Sequence, residues 1–385
     1  MKNIIYFTTS QHNDDYEQYT NIWKTPINSS NQIFHNKMIR SLSFSYHVDV
    51  ISIRPFSTDK CVIDYLDKGE RISSSIFWHY LKIKRNKVLR LASCYHQANK
   101  IIKKLCKNSI ILTDTINPSV LSLATAIGKR RNLPVVGLCT DSPSNITGTT
   151  RSYTLLLLKL SKYIDGFISL TNSLNDLYNE KNKPNMILEG IVEDDSPIRS
   201  ENNYGKYFLY SGSLLPRYGV YELINAFNEL NKKDYKLLIC GHHEDHNLKE
   251  SIKTNKSIKY LGIVPNSKVI ELESNAVANI NPRPFSEDLD RFSIPSKVLE
   301  YLNSGSPTIS VKCTKIYKIF PQEIIWARTN SVQDLKDAME KAINLSNQDK
   351  EFIVNSAKEK VQSHFSLKSV SKKVDKFLTE FFVKN

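Results

Sequence analysis

Short apolar segments alternate with helical segments along nearly the whole chain, and this alternation restricts the fold more than any other feature. In the first half it predicts strands over 3–9, 47–53, 109–114, 134–140, 166–170 and, more weakly, 185–190. Between them it predicts helices near 31–46, 75–106, 118–131, 152–164 and 172–181. Short, uniformly apolar strands separated by helices are typical of a parallel sheet that is covered on both faces.

A polar segment at 193–205, EDDSPIRSENNYG, interrupts this pattern and is typical of an interdomain linker. The pattern then resumes, with strands predicted over 206–212, 235–241, 258–263, 277–282, 306–311 and 323–327. Helices are predicted near 219–231, 266–274, 295–303 and 331–345, followed by two helical stretches between 348 and 384.

The sequence therefore predicts an α/β protein with two doubly wound, Rossmann-like parallel-sheet domains that face a cleft. We expect an N-terminal domain over 1–195, a C-terminal domain over 196–365, and a C-terminal helix over 366–385 that packs back toward the N-terminal domain. Ligands of such sheets bind outside the carboxyl ends of the strands, so the functional residues are sought there.

Composition agrees with a folded protein of two domains. The 385 residues are 40% apolar and 24% charged, and no stretch approaches the 18 consecutive apolar residues of a membrane span. The six cysteines are scattered without a C-x-x-C pair, which favours a reducing compartment. We expect a cytoplasmic protein without a signal peptide, either free or bound to the inner face of a membrane from its surface.

The formal net charge of +14 is concentrated in the first half. Ten basic residues and no acidic one lie between Arg71 and Lys107, and residues 79–107 also carry regularly spaced leucines and isoleucines. This basic amphipathic pattern suits an anionic membrane surface, or another polyanion; the alternative is a solvated helix packed on its own domain. No DNA- or RNA-binding motif accompanies the charge, so nucleic acid is not expected as a partner.

The segment FSIPSKVLEYLNSGSPTIS, residues 292–310, raises a question about charge. It predicts a helix with Lys297 in the first turn, where the helix dipole disfavours a cation. A helix N-terminus that carries free N–H groups and a lysine suits a phosphate group, which would explain the lysine.

Four segments in register, over 210–230, 235–241, 258–284 and 292–310, resemble the nucleotide-binding domain of GT-B glycosyltransferases. The S-x-P-S-K-x-x-E-Y motif in the last of them resembles the large retaining family 4. In the first half the resemblance is limited to the strand–helix rhythm and to residues 114–141. It implies a metal-independent hexosyltransferase that uses a nucleoside diphosphate sugar, most often UDP or GDP, and a glycan or lipid-linked acceptor in surface polysaccharide biosynthesis.

The resemblance also implies roles for residues of this helix. Glu300 would hold the ribose hydroxyls, since a carboxylate can accept from two vicinal hydroxyls; alternatively it is a glutamate favoured by the helix dipole. Lys297 and Ser296 would contact the donor phosphates; alternatively they are a solvated lysine and a plain capping serine.

The loop GSLLPRYG, after the first strand of the second half, departs from the family pattern. Relatives place an arginine directly after the first glycine and a lysine before the second, whereas this chain has Ser213 and Tyr218. We expect Gly212 and Ser213 to border the donor and Arg217, one residue from the lysine position, to supply the phosphate-binding charge. Otherwise Arg217 is a solvated loop residue.

A second departure affects the sugar. Family members carry a glutamate eight residues before the position of Glu300, and this chain has Phe292 there. Asp288 or Asp290, with Arg291 nearby, are candidate replacements, and Arg283 is predicted to contact the donor.

In the first half, Asp141 follows a predicted strand and is a candidate to contact the acceptor hydroxyl, acting as general base if the reaction inverts; the alternative is that it caps the next turn. Asp114 and Asn117 form a similar, weaker cluster. His242, His243, Glu244 and His246 invite a metal site, but a loop offers little preorganisation and the family works without metal, so no metal is expected.

Other functions stay open at this stage. Phe292, Ser213 and Tyr218 would suit a decayed donor site, hence a non-catalytic GT-B subunit that stabilises a partner transferase. A sugar-nucleotide epimerase of the same fold and a polyanion-binding protein are further alternatives.

Overall fold

The computed structural model describes residues 3–23, 29–55, 70–73, 75–84, 86–105, 108–146, 149–194, 203–241, 246–253, 255–292 and 295–383. The chain divides into two compact units. The first contains residues 1–191, 291–293 and 367–385, and the second contains residues 192–290 and 294–366. The last helix of the chain is therefore part of the first unit.

The first unit is built on an eight-stranded sheet in the order β3-β4-β2-β1-β5-β6-β7-β8. Its strands are β1 (Asn3–Thr8), β2 (His47–Ser52), β3 (Glu70–Ser73), β4 (Ile76–Tyr80), β5 (Ser109–Asp114), β6 (Val135–Cys139), β7 (Gly166–Ser169) and β8 (Asn185–Ile187). All neighbours pair in parallel except β3 and β4, which are antiparallel at one edge. The central strands β1 and β5 are buried along their whole length, which is why their sequences are uniformly apolar.

Helices cover both faces of this sheet. They are α1 (Asn13–Trp23), α2 (Ser29–Leu42), α3 (Lys87–Ile102), α4 (Pro118–Arg131), α5 (Arg151–Ser161) and α6 (Asn172–Tyr178). The last helix of the chain, which becomes α15 in chain order (Leu367–Leu378), lies beside α2 on one face, and α3, α4 and α5 pack on the other. Local residues determine where α4 begins and ends. Asn117 caps its first N–H groups, and Asn132 ends it in the left-handed conformation.

The second unit is built on a fully parallel, six-stranded sheet in the order β11-β10-β9-β12-β13-β14. Its strands are β9 (Lys206–Ser211), β10 (Tyr235–Cys240), β11 (Ile258–Gly262), β12 (Ala278–Asn281), β13 (Thr308–Val311) and β14 (Ile325–Ala327). Its helices are α7 (Val220–Leu230), α8 (His246–Lys253), α9 (Asn266–Asn275), α10 (Glu287–Phe292), α11 (Ser296–Asn303), α12 (Thr314–Ile319), α13 (Val332–Ile343) and α14 (Asn347–Phe365). The division into units falls within α10, since residues 291–293 belong to the first unit.

The predicted fold class is confirmed: both units are α/β with parallel sheets, and the C-terminal end is helical. One prediction was wrong. Residues 76–80 form the strand β4, between β3 and β2, not the start of a helix, and the helix begins at Lys87. IFWHY alternates buried and half-buried side chains with a period of two, a strand signal that the basic helical pattern following it obscured.

The strand β3 and four further helices, α1, α8, α10 and α12, were not predicted. None of the helices in the described part of the chain combines the length and apolar content that a bilayer-spanning segment requires.

Candidate functional site

In the second unit the carboxyl ends of β9, β10 and β12 meet backbone to backbone. A Cβ atom at Gly241 would lie 1.8 Å from the carbonyl oxygen of Gly212, and one at Gly219 would lie 2.2 Å from that of Pro282. Both glycines also have positive φ angles, 148° and 76°. Only glycine satisfies both conditions at these positions, so the loop after β9 is held close to its neighbours by its backbone.

The loop between Gly212 and Gly219 has a fixed base and an exposed tip. Leu214 is buried, and the buried hydroxyl of Tyr210 donates to the carbonyl oxygen of Ser213 at 2.5 Å. Ser213 and Arg217 are exposed, and the Arg217 guanidinium lies 5.2 Å from the ring centroid of Tyr218. The loop therefore presents a cation to solvent at the carboxyl end of the sheet.

Helix α11 begins at the same end of the sheet. Val298, Leu299 and Leu302 are buried and fix the helix on the unit, while Ser296 at its first position is exposed. The preceding residue, Pro295, has no side-chain acceptor with which to cap the first N–H groups. A helix start without a side-chain cap is the arrangement that binds an anion through its backbone.

Lys297 in the first turn has two carboxylate partners. Its ammonium lies 2.7 Å from Glu300 Oε2 and 3.8 Å from Glu273 Oε1. The side chains of Lys297 and Glu300 are 33% and 20% exposed, whereas that of Glu273 is 3% exposed. Burial lowers the pKa of Lys297, but Glu300 and then Glu273 outweigh this and raise the pKa above its ordinary value. The lysine is therefore charged at neutral pH.

Glu273, near the end of α9, belongs to the same group of charges, although no sequence pattern pointed to it. Its Oε1 accepts a hydrogen bond from Ser211 Oγ at 2.9 Å, and the Tyr301 hydroxyl accepts from Ser211 N–H at 3.0 Å and donates to the Ser211 carbonyl at 3.1 Å. These contacts join α9, α11 and the end of β9. The segment of α9, NSKVIELESN, is mostly polar and carries a second glutamate, Glu271, so no signal distinguished Glu273.

Together these side chains explain the lysine in the first turn. Its charge is compensated by two carboxylates, so a missing phosphate is not needed to account for it. Lys297, Glu300 and Glu273 together carry one net negative charge, and Arg217 is the exposed cation at the tip of the nearby loop. An arriving diphosphate would thus meet Lys297, the helix N–H groups and Arg217, while Glu300 keeps a partly exposed carboxylate for hydroxyl groups.

The predicted donor contact Arg283 is engaged within the second unit. Its guanidinium lies 3.2 Å from Asp290 Oδ1, and both side chains are nearly buried. Asp290 also accepts from Ser286 N–H at 2.9 Å, and its carbonyl accepts from Lys315 at 2.8 Å. This pair holds the segment after β12, and a donor contact by Arg283 or Asp290 stays a prediction.

Phe292, at the position of the family's first glutamate, belongs to the first unit. There it packs against an apolar cluster, and the carbonyl oxygen of its neighbour Arg291 accepts from Thr171 Oγ1 at 3.0 Å. The side chain at this position thus has an apolar packing role. The Asp288 side chain and residues 242–245, with His242, His243 and Glu244, lie outside the described residues, as does the side chain of His246.

In the first unit, Asp141 lies directly after β6 and partly buried. Its Oδ1 accepts from Ser142 N–H at 2.8 Å and from Asn145 Nδ2 at 3.4 Å. This is the turn-capping arrangement considered above as the alternative to a general base. The catalytic role of Asp141 stays a prediction.

Asp114, at the end of β5, is the fully buried centre of a polar network. Its Oδ1 accepts from Ile116 N–H at 2.9 Å, and its Oδ2 lies 3.2 Å from Asn31 Nδ2 and 3.6 Å from His35 Nε2. The Tyr6 hydroxyl lies 2.6 Å from His35 Nδ1. Burial lowers the pKa of His35 against the opposing effect of Asp114, so the ring is neutral at pH 7 and can accept from Tyr6.

A second polar group lies at the carboxyl ends of β2 and β4. Arg54 is almost fully buried, with its guanidinium 4.3 Å from the ring centroid of Tyr80, whose hydroxyl donates to Asp15 at 2.5 Å. Arg71 pairs with Asp14 and, at 2.9 Å, with Asp15. Arg54 could not be predicted from the sequence, because a single arginine after a strand is common.

Comparisons with known proteins are consistent with this architecture. Residues 192–359 match the family model for glycosyl transferases group 1. Curated protein sequences give no match to the chain.

Solved structures resemble the chain over its whole length. Sucrose-phosphate synthase from Thermosynechococcus elongatus matches with a TM-score of 0.70 at 11% identity, over 100% of both chains. A glycosyltransferase from Rickettsia africae matches with a TM-score of 0.69 at 16% identity, over 100% of this chain and 99% of that one. Anabaena HepE, in complex with UDP and glucose, matches with a TM-score of 0.68 at 10% identity, over 99% and 100%. The chain has the GT-B fold, and residues 192–359 resemble the glycosyl transferases group 1 domain.

Proposed function

We propose that the protein is a glycosyltransferase that moves a hexosyl unit from a nucleoside diphosphate sugar to a sugar-containing acceptor. The observation that carries this proposal is the charged group at the start of α11, where Lys297 and Glu300 are partly exposed and anchored by the buried Glu273. It lies inside the segment that matches group 1 glycosyltransferases.

The donor would bind the second unit. Glu300 would exchange its contact with Lys297 for the ribose hydroxyls, and Lys297 would turn its charge to the diphosphate. Ser296, Gly212 and Ser213 would border the phosphates, and Arg217 would add the cation that the local charge sum requires. UDP is the first candidate nucleotide, because HepE was solved with UDP and glucose, and GDP is the second.

Stabilisation of the leaving group would be the main catalytic contribution. As the bond between the sugar and the diphosphate breaks, negative charge grows on the departing phosphate oxygens. Fixed cations and helix N–H groups stabilise that charge more than they stabilise the ground state, which lowers the barrier. We propose that this chemistry needs no bound metal and retains the anomeric configuration, as in the retaining family 4 that the 292–310 motif resembles.

The acceptor would be a glycan or a lipid-linked sugar of surface polysaccharide biosynthesis, handled in the cytoplasm. Its hydroxyl would be presented by the first unit, with Asp141 as the residue proposed to contact it; Asp141 would be the general base only in an inverting reaction. The polar group of Arg54, Arg71 and Tyr80, at the same end of that sheet, would bind other polar groups of the acceptor.

Thermal unfolding tests the donor site. The protein is heated with UDP-, GDP-, dTDP- or CDP-sugars in the presence of EDTA. A ligand at a hundred times its dissociation constant adds about 2.7 kcal/mol, enough to raise the midpoint by roughly 5 °C. We expect a shift with one nucleotide class, lost in Glu300→Ala and Lys297→Met and kept in the exposed controls Glu229→Ala and Lys233→Met.

The absence of a shift with every nucleotide would overturn the donor assignment. The non-catalytic subunit would then become the better interpretation, since Phe292 places an apolar side chain where the family has a carboxylate. A thermal shift without release of nucleoside diphosphate in the presence of candidate acceptors would indicate that the protein binds the donor but does not catalyse transfer.

A further inference from the structure

Three helices form one face of the first unit. α4 contacts α3 on one side and α5 on the other, and the inner sides of all three pack on the same apolar cluster. Their outer sides are exposed. We call this surface, together with the loop 82–84 before α3, the α3–α5 face.

The α3–α5 face is basic without acidic residues. None of the segments Lys87–Ile102, Pro118–Arg131 and Arg151–Ser161 contains an aspartate or a glutamate. The exposed basic side chains of the face and its margins are Lys82, Lys84, Lys100, Lys103, Lys104, Lys129, Arg130, Arg151, Lys159 and Lys162. Acidic side chains return only beyond α5, where Lys162 pairs with Glu180 at 3.2 Å.

Large apolar side chains protrude from the same helices. Leu155 and Leu156 on α5 are 58% and 45% exposed, although the next residue in the run, Leu157, is fully buried. On α3, Leu89 and Leu91 are 57% and 43% exposed. Exposure of neighbouring leucine side chains to water is energetically unfavourable, and burial against an apolar partner would remove that cost.

We infer that the α3–α5 face docks on an anionic lipid bilayer, with Leu155 and Leu156 inserted between the headgroups and the basic side chains against them. Both observations are needed: the charge selects an anionic partner, and the leucines select one with an apolar interior. Two copies of this chain would meet with like charges, which disfavours self-association through the face. A nucleic acid would satisfy the charge but leave the leucines in water. The inference does not depend on the donor site in the second unit.

The membrane-binding surface predicted over residues 79–107 thus loses its first residues and gains residues of α5. Tyr80 and Leu81 are buried and take no part, whereas the leucine pair on α5 lies seventy residues further along the chain.

Vesicle sedimentation tests the inference with the full chain. We expect binding to vesicles of phosphatidylcholine with about a third phosphatidylglycerol, no binding to phosphatidylcholine alone, and loss of binding at high salt, because exposed charges are screened. Lys100→Glu/Lys159→Glu and, separately, Leu155→Ser/Leu156→Ser should each weaken binding about tenfold or more.

Matched controls lie in the second unit, where Lys233→Glu and Phe352→Ser change exposed residues of the same types and should leave binding unchanged. The substituted side chains are exposed, so unaltered thermal midpoints are expected, and the donor-induced shift should persist in every variant. Equal binding to both vesicle types, no binding at low salt, or full binding by the leucine variant would overturn the inference. So would binding to RNA that competes with vesicles and ignores the leucine substitutions.

Discussion

The carboxyl end of the sheet carries ionisable side chains in both units, but the side chains at the start of α11 and at the end of β5 differ in their exposure to solvent. In the second unit Lys297 and Glu300 are partly open to solvent, and only Glu273 beneath them is buried. In the first unit Asp114 and His35 are completely buried, and Asp141 is occupied with a turn. The same topology thus leaves the charges at the start of α11 accessible and uses the charge at the end of β5 to hold backbone.

The difference follows from the cost of burying charge. A buried carboxylate must have its hydrogen bonds satisfied inside the protein, so Asp114 is committed to Ile116, Asn31 and His35. A partly exposed pair such as Lys297 and Glu300 can exchange partners at low cost, because water compensates the separated charges. Accessible charge is therefore the better guide to a ligand site than charge alone.

The largest expected effect concerns Asp114. Asp114→Ala should lower the free energy of unfolding of the first unit by about 3 kcal/mol, because it leaves buried donors without their acceptor. Urea unfolding followed by tryptophan fluorescence in a Trp326→Phe background measures this, since Trp23 and Trp78 both belong to the first unit. The exposed control Asp234→Ala should cost less than about 0.5 kcal/mol. A loss below about 1 kcal/mol would mean that Asp114 is not a structural centre.

A second effect is a dependence of stability on pH. The pKa of His35 is lowered in the folded protein, so below about pH 6.5 the unfolded chain binds a proton that the folded chain does not. The free energy of unfolding should then fall with decreasing pH, by up to about 1.4 kcal/mol per pH unit for this group. His35→Gln should flatten the slope between pH 7.5 and 5.5. His12, whose pKa is also lowered, contributes in both proteins, so their difference isolates His35.

The smallest effect separates Glu273 from Glu300. Glu273→Gln keeps an acceptor for Ser211 but removes a charge beside Lys297, so it should lower the stability of the second unit by about 1 kcal/mol. Its effect on the donor dissociation constant should be smaller than that of Glu300→Gln, which is expected to weaken binding with little change in stability. Isothermal titration of both variants measures the donor dissociation constant, and urea unfolding measures the free energy of unfolding. If Glu273→Gln weakened binding more, Glu273 itself would be the donor contact.

Much of the fold was available in the sequence, because buried parallel strands are short and uniformly apolar. All six strands of the second unit and the six predicted in the first are present, with ends that differ from the predicted ones by at most three residues. The strand β4 was missed because one of its faces is half-buried and its aromatic residues precede a strongly helical segment. Short helices such as α12 were missed because six residues give too little periodicity.

The site was predictable only in part. Lys297 and Glu300 stand three residues apart on one helix, and local spacing brings them together. Glu273 and Ser211 reach them from other elements, and no local pattern carries a contact between residues so far apart in the chain. The same limit explains why Arg54 and the network of Tyr6, His35 and Asp114 were not found.

The position of α15 has a consequence for how the protein is made. Val370, Val374 and Leu378 belong to the same apolar cluster as Ile4 and Val48, so the N-terminal sheet lacks part of its cover until residues 367–378 have left the ribosome. The segment 192–366 is synthesised earlier and contains nearly all of the second unit. The half of the protein that is translated first is thus the half that finishes folding last, which reverses the usual order of domain folding during synthesis.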